Sequence, residues 1–407
     1  MKEGYKKTEL GWIPEEWEIK QLSDITKINP KKEILDIEKE ISFIAMEHIS
    51  NGGRVLTTNT RKYGEVSKGY TAFKDNDVLL AKITPCFENG KKAVVKNLKN
   101  GIGFGSTEFH VLRSKGDTSI PAFLYYYVST NRFRQQAELN MTGSAGQKRV
   151  PTTFLNDNKL AVPPLKEQQK IAQILSTVDS QIDDTDKLIE KTKELKKGLM
   201  QRLLSKGIGH KEFKKTEVGE IPVEWEVKSL IDVSDIIMGQ SPNSHTYNDL
   251  KNGIPFFQGK TEFGTMYPVV RKWCTEPIKI SEPFDILISV RAPVGEVNIN
   301  KYTACIGRGL SAIRATKSNY KFIYYYMQSV KEKLNSSAQG STFTAINSAD
   351  LKGINVALPH LQEQTQIANI LSSVDTEIEE YQNKKTKLEE LKKGLMQQLL
   401  TGKVRVV

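Results

Sequence analysis

The chain has 407 residues, 38% of them hydrophobic, enough for two or three packed domains. Its 59 Lys and Arg against 48 Asp and Glu leave a formal charge of +11, which favours a polyanionic partner, nucleic acid before an acidic membrane surface. No apolar run approaches the ~20 residues of a membrane span, and the start "MKEGYKKTELGW" has no signal-peptide core, so a cytoplasmic chain is expected.

Taken from the start, "KKTELGWIPEEWEIKQL" (Lys6 to Leu22) contains an "EIK" at Glu18 that resembles half of a magnesium-dependent nuclease site. No upstream Asp on a strand completes it, so a surface strand pairing Glu with Lys is the better reading. "NPKK" at Asn29 lacks the second Pro and the aromatic of an adenine methyltransferase motif. "DVLLAKITP" (Asp77 to Pro85) opens with a short apolar run suited to a buried strand, and the loop after it offers Lys82 and Thr84 as DNA contacts. "GKK" at Gly90 to Lys92 reads as a solvated turn, and "GIGFGS" from Gly101 as a strand or turn with no helix to receive a pyrophosphate. "FLYYYV" from Phe123 has helical spacing; its tyrosines suit base stacking, but core packing with wet hydroxyls is the stronger expectation. "TGSAGQKRVP" then supplies Ser144, Gln147, Lys148 and Arg149, whose amides, hydroxyls and charges suit phosphate positioning.

After Pro163 and Pro164 the apolar positions fall at Ile171, Leu175, Val178, Ile182, Ile189, Leu195, Leu199 and Leu203, with Thr185 and Thr192 in two slots. Steps of three, four and seven mark a coiled-coil seam on a helix of about 38 residues, or about 57 Å. Near its end stands "ELKKGLMQRLL" (Glu194 to Leu204), which returns as "ELKKGLMQQLL" (Glu390 to Leu400) with one residue changed.

That return belongs to a duplication of the whole chain. "KKTEVGEIPVEWEVKSL" from Lys214, "DILISVRAP" from Asp285, "CIGRGL" from Cys305, "FIYYYM" from Phe322 and "LPHLQEQTQIANILSSVD" from Leu358 answer the first-copy phrases in order. The second seam runs through Ile367, Leu371, Val374, Ile378, Tyr381, Leu388, Leu391, Leu395 and Leu399, with Lys385 where the first has Ile189. The second copy's DNA candidates are Arg291 and Gly295 after the buried strand, and Ser341, Thr342 and Thr344 in "QGSTFTAI". Arg291 is offset by one position from the basic residue of the first copy, so the two should face differently. Gly198 and Gly394 weaken the helices by about 1 kcal/mol each; simple tolerance is the favoured reading, with close helix–helix approach the alternative.

The expected architecture is α+β: two pseudo-repeated domains and two long helices, in segments 1–164, 165–207, 208–359 and 360–407. Neither helix can bury its stripe alone, so the two should pair; a pseudo-twofold axis would run them antiparallel with a domain at each end, as a dumbbell. Nothing looks catalytic. "GIPFFQGKT" (Gly253 to Thr261) has five residues between its glycines where a P-loop needs four. The histidines lack metal-ligand spacing, and Cys86, Cys274 and Cys305 have no CxxC, which suggests reduced thiols and no metal site on the chain.

The doubled phrases "PPLKEQQKIAQILSTVD", "LKKGLMQRLL" and "GWIPEEWEIKQL" resemble the DNA specificity subunit of type I restriction–modification enzymes over nearly the whole chain. The resemblance implies two target recognition domains, each reading one half of an asymmetric site in double-stranded DNA, separated by two conserved antiparallel helices that set the spacer. It also implies partners: modification subunits, two per chain, that bind S-adenosylmethionine and methylate adenine, and restriction subunits that use ATP and magnesium. No cofactor is then expected on this chain. Two alternatives remain at this stage, a two-domain helical adaptor and the specificity partner of another bipartite-site nuclease–methylase.

Overall fold

The computed structural model describes residues 3–144, 146–332, 334 and 345–406. The chain divides into two units, Met1–Thr185 with Lys384–Val407 and Asp186–Asn383, so each long helix is cut near its middle. Each unit therefore holds one globular domain, the first half of the helix that follows it and the last half of the other helix. The four linear segments read from the sequence run across these units.

In the first unit a hairpin, Tyr5–Thr8 with Gly11–Pro14, is followed by Glu18–Gln21 paired antiparallel with Lys159–Val162. One four-stranded antiparallel sheet has the order Thr26–Ile28, Phe109–Ser114, Val78–Ala81, Lys92–Val94. A second has the order Asn59–Lys62, Glu40–Ile44, Ile102–Gly105, Thr71–Lys74, with one parallel pairing, Gly103 to Ser42. The second unit repeats the plan: Phe213–Thr216 with Gly219–Pro222, Glu226–Ser229 with Asn355–Leu358, and a sheet of Ser234–Met238, Leu310–Ala315, Ile286–Ser289 and Val297–Ile299. Its other sheet has five strands and again one parallel pairing, Phe256 to Cys305.

The run "VLLA" is a strand with all four residues buried, and "ILIS" is its counterpart. Just before each, a buried carboxylate holds an arginine two-pronged: Asp77 with Arg113 at 2.8 and 2.7 Å, Asp285 with Arg314 at 2.9 and 2.9 Å. The "EIK" and "EVK" phrases lie on strands where Glu18 meets Lys20 at 2.8 Å and Glu226 meets Lys228 at 2.7 Å.

The central helix is Leu165–Lys206 and the C-terminal helix Leu361–Leu399. None of the described helices is long and apolar enough to cross a membrane. Their starts are set by Gln168, which donates to the Pro163 carbonyl at 2.9 Å, and Gln364, which donates to the Pro359 carbonyl at 2.8 Å. Gly207 and Gly402 lie just past the two helices with φ of 64° and 68°. A Cβ at Gly207 would come within 2.7 Å of the Trp225 ring, and one at Gly402 within 2.4 Å of Pro14, so only glycine fits both conformation and space.

Ile171, Leu175, Val178, Ile182, Ile189, Leu203, Ile367, Leu371, Val374, Ile378 and Leu399 are buried, and Leu199, Leu388 and Leu395 half-buried. In the first unit Ile171 and Leu175 share a core with Leu399 and Leu400; in the second, Leu203 and Leu204 share one with Ile367 and Leu371. Two seam assignments need correction. Leu195 is 53% exposed and Leu391 50%, because the next residues, Lys196 and Lys392, turn inward instead. The glycines of the repeated phrase have no packing role either: a Cβ at Gly198 or Gly394 would meet nothing within 4 Å.

What those lysines meet explains why the phrase is written twice. Lys392 lies 2.5 Å from the Asp179 carboxylate, and the Tyr126 hydroxyl donates to the same carboxylate at 2.7 Å. In the second unit Lys196 lies 2.7 Å from Asp375, which accepts from Tyr325 at 2.7 Å. Each phenol is held well above its ordinary pKa, by burial first and by the carboxylate charge second. The tyrosine runs are therefore core, as their spacing implies. A second repeated contact lies beside each helix start: the Trp17 indole donates to Glu167 at 2.8 Å and Arg405 pairs with it, while Trp225 donates to Glu363 at 3.0 Å with His210 alongside.

A hydrogen bond to a charged group contributes about 1.5–3 kcal/mol. Tyr126→Phe and Tyr325→Phe should each lower unfolding stability by about that amount in denaturant titrations of the full chain. A loss no larger than that of a surface substitution would show that ring packing alone holds each domain to the helices.

Candidate nucleic-acid interface

The two loops read separately from the first copy form one surface. The segment after the buried strand Val78–Ala81 runs beside the segment after the Gly-rich loop, with Ile83 bridged to Arg149. The Lys82 carbonyl accepts from Val150 at 2.9 Å, and the Thr84 amide donates to the Lys148 carbonyl at 2.9 Å. The loop between turns tightly: Gly143 has φ of 121°, and a Cβ there would meet the Gln147 carbonyl at 2.9 Å. Ser144, Gln147 and Lys148 are exposed at its tip.

The side chains separate by what they already hold. Thr84 donates its hydroxyl to Glu88 at 2.7 Å. Arg149 grips Glu108 through Nε at 3.0 Å and Nη2 at 2.9 Å, and this bond holds the Glu108 carboxyl below its ordinary range. Glu108 was not singled out in the sequence; only the fold brings it to Arg149. Lys148 makes no ion pair with any of the described residues. Lys91 and Lys92 are not the solvated turn that "GKK" suggests. Lys91 donates to the Met46 carbonyl at 2.9 Å, and burial, with the charges of Arg134 and Lys392, lowers the Lys92 ammonium pKa to about 8.

The second copy uses the same frame. Arg291 is bridged to Ala345, and Ile346 donates to the Val290 carbonyl at 2.9 Å. Val290 thus stands where Lys82 does, and Arg291 where Ile83 does. Alternate strand residues point to opposite sides, so the one-residue offset turns the two basic side chains to different faces. Arg291 is exposed and makes no ion pair with any of the described residues. Gly295 requires a correction: it is buried, with φ of 83° and its amide given to the Ser289 carbonyl at 2.9 Å. It shapes the turn behind Arg291 and offers no donor to a ligand. Ser341, Thr342 and Thr344 lie outside the described residues. Among the described residues no group of three His, Cys, Asp or Glu is placed to hold a metal.

Two α+β domains of one plan, each with a basic loop surface, are the marks of a protein that reads two related targets. The chain belongs to the family described as the type I restriction modification DNA specificity domain, which matches residues 14–194 and 222–390. It is 37% identical over 416 residues to a Methanocaldococcus jannaschii chain assigned as the MjaX type I restriction enzyme specificity subunit, covering 99% of this chain and 97% of that one. A solved structure addressing complex assembly and conformational transition of the type I restriction–modification system superposes with a TM-score of 0.61 at 26% identity, covering 96% and 99%. The S subunit of the system from M. genitalium has the same fold, with a TM-score of 0.61 at 15% identity over 94% and 96% of the two chains.

If Lys148 contacts phosphate, Lys148→Ala should weaken binding to every sequence alike and lower the log–log salt slope by about one. Binding titrations across salt on several unrelated duplexes check this; a loss confined to one sequence would make Lys148 a base contact.

Proposed function

We propose that this chain is the DNA specificity subunit of a type I restriction–modification enzyme. Each globular domain reads one half of a split, asymmetric site in double-stranded DNA. The observation that carries this reading is the doubled loop surface: one backbone frame, with Lys82 and Lys148 in one copy and Arg291 in the other. Duplicated frames with different basic residues suit two half-sites of different sequence.

In this reading the two long helices pair antiparallel along their length, hold the domains apart as a dumbbell and set the spacer between half-sites. The shared cores within each unit support that direction, since the start of one helix lies beside the end of the other in both. Two modification subunits dock on the chain and carry S-adenosylmethionine for adenine methylation. Restriction subunits bring ATP- and magnesium-dependent chemistry. This chain supplies recognition and no catalytic group, and with DNA as its partner it works in the cytoplasm.

The isolated chain should bind duplex DNA with a log–log salt slope of several units, at about 0.9 per phosphate neutralised, and should transfer no methyl group. Methyl transfer by the pure chain would overturn the non-catalytic assignment, and salt-independent binding would favour an adaptor.

The helices supply the second test. Four residues inserted after Thr185 and four after Asn383, where the two units divide, lengthen each helix by about 6 Å at 1.5 Å per residue. With successive base pairs rising about 3.4 Å along the duplex, the preferred spacer should grow by one or two pairs while both half-sites keep their sequence. The methylated motif of the assembled variant reports this. An unchanged spacer in a complex that still methylates would show that the docked subunits, not the helices, set the distance.

A further inference from the structure

The second domain has a turn that presents a second unpaired arginine beside Arg291. Leu310 donates to the Gly307 carbonyl at 3.0 Å and closes the turn, with Arg308 exposed at its tip between two glycines. The turn is wedged between two other segments. Gly307 donates to the Phe257 carbonyl at 2.8 Å, and a Cβ at Gly309 would lie 2.5 Å from the Gln258 carbonyl. On the other side Gln240 donates to the Ile306 carbonyl at 3.0 Å, and the Arg308 amide donates to the Ser241 hydroxyl at 3.2 Å. Val290 donates to the Gly309 carbonyl at 3.0 Å, which places the Arg308 turn next to Arg291.

The backbone under Arg308 is thus held from three directions while its guanidinium meets no carboxylate among the described residues. Arg291 shares this state, whereas three other arginines of these frames do not. Arg314, Arg113 and Arg149 are each committed to a carboxylate. Nearby Lys260 and Lys331 are also committed, both to Glu296 at 2.6 and 3.0 Å. A positively charged fork on a fixed backbone, left unpaired like Arg291 while the nearby lysines are held by Glu296, is suited to a ligand that presents paired acceptors. The O6 and N7 of guanine are such a pair, and exposed Gln258, whose amide reaches Ser241 at 3.4 Å, has the two-pronged geometry that suits adenine.

The first domain makes the same turn with different residues. Phe109 donates to the Ser106 carbonyl at 3.2 Å and Lys82 to the Glu108 carbonyl at 2.9 Å, so Thr107 stands where Arg308 does. Its neighbour Glu108 is already paired with Arg149.

We propose that Arg308, with Arg291 and Gln258 beside it, reads base edges in the half-site bound by the second domain, and that Arg308 takes a guanine there. This rests on the function proposed above. The test uses the assembled complex with its modification subunits, as wild type, Arg308→Ala and Arg308→Lys. Methylated positions are sequenced in a host genome, and binding is measured to a randomised duplex pool. Arg308→Ala should bind the cognate site roughly 5- to 150-fold more weakly and lose preference for guanine at one position of one half-site. The other half-site and the spacer should stay as they are. Arg308→Lys keeps the charge and the stem but not the fork, so it should bind DNA and still relax that position; it carries the test where the alanine variant does not fold.

Equal loss on all sequences in both variants would make Arg308 a phosphate contact and overturn the inference. A two-part wild-type motif left intact by both substitutions would overturn it alone. A wild-type complex with no two-part motif would overturn the function itself.

Discussion

The carboxylates of Asp179 and Asp375 carry the joint between domain and helix. Each accepts a hydrogen bond from a tyrosine of the globular domain and faces a lysine from the last half of the other helix. A half-buried carboxylate is costly unless hydrogen-bonded and paired, so the arrangement favours one seating of the tyrosine helix and one position of the lysine along the seam. An apolar contact at the same place would tolerate sliding by a turn. The Trp–Glu pairs at the helix starts add a second fixed point with the same logic, since an indole N–H and a carboxylate must meet at hydrogen-bond distance.

These two points fix the seat of each domain beneath the loops proposed to meet DNA. The buried strands "VLLA" and "ILIS" lead directly from the core to the loop surface, so the position of Lys82 or Arg291 follows from a strand with no exposed residue. Rigid support matters for base reading, where a bidentate contact is lost when its donor fork is misplaced. A single-residue offset between Lys82 and Arg291 changes the face presented without disturbing a ladder hydrogen bond.

Charge is distributed with the same economy. Many of the basic residues near the loops are engaged by local carboxylates: Arg149 by Glu108, Arg113 by Asp77, and Lys260 and Lys331 sharing Glu296. Among the described residues on the loop frames, Lys82, Lys148, Arg291 and Arg308 make no ion pair and can offer their charge to an external anion or base. An overall charge of +11 therefore says less about where DNA binds than the placement of individual cations on the loop frames.

Much of this architecture is written locally. Heptad spacing marks the helices, two β-branched or leucine-rich runs mark the buried strands, and doubled phrases mark the duplication, because each depends on neighbours a few residues apart. Those signals identify the α+β plan, the two domains and the tyrosine core. Tertiary structure alone decided that Lys196 and Lys392, not Leu195 and Leu391, face inward, since the choice depends on a carboxylate on a helix far away in sequence. It also decided that Arg149 is committed to Glu108 while Arg308 is not, and that Gly295 lies inside a turn. Such outcomes are set by which charged groups the fold brings within hydrogen-bond distance, and no spacing along the chain encodes that distance.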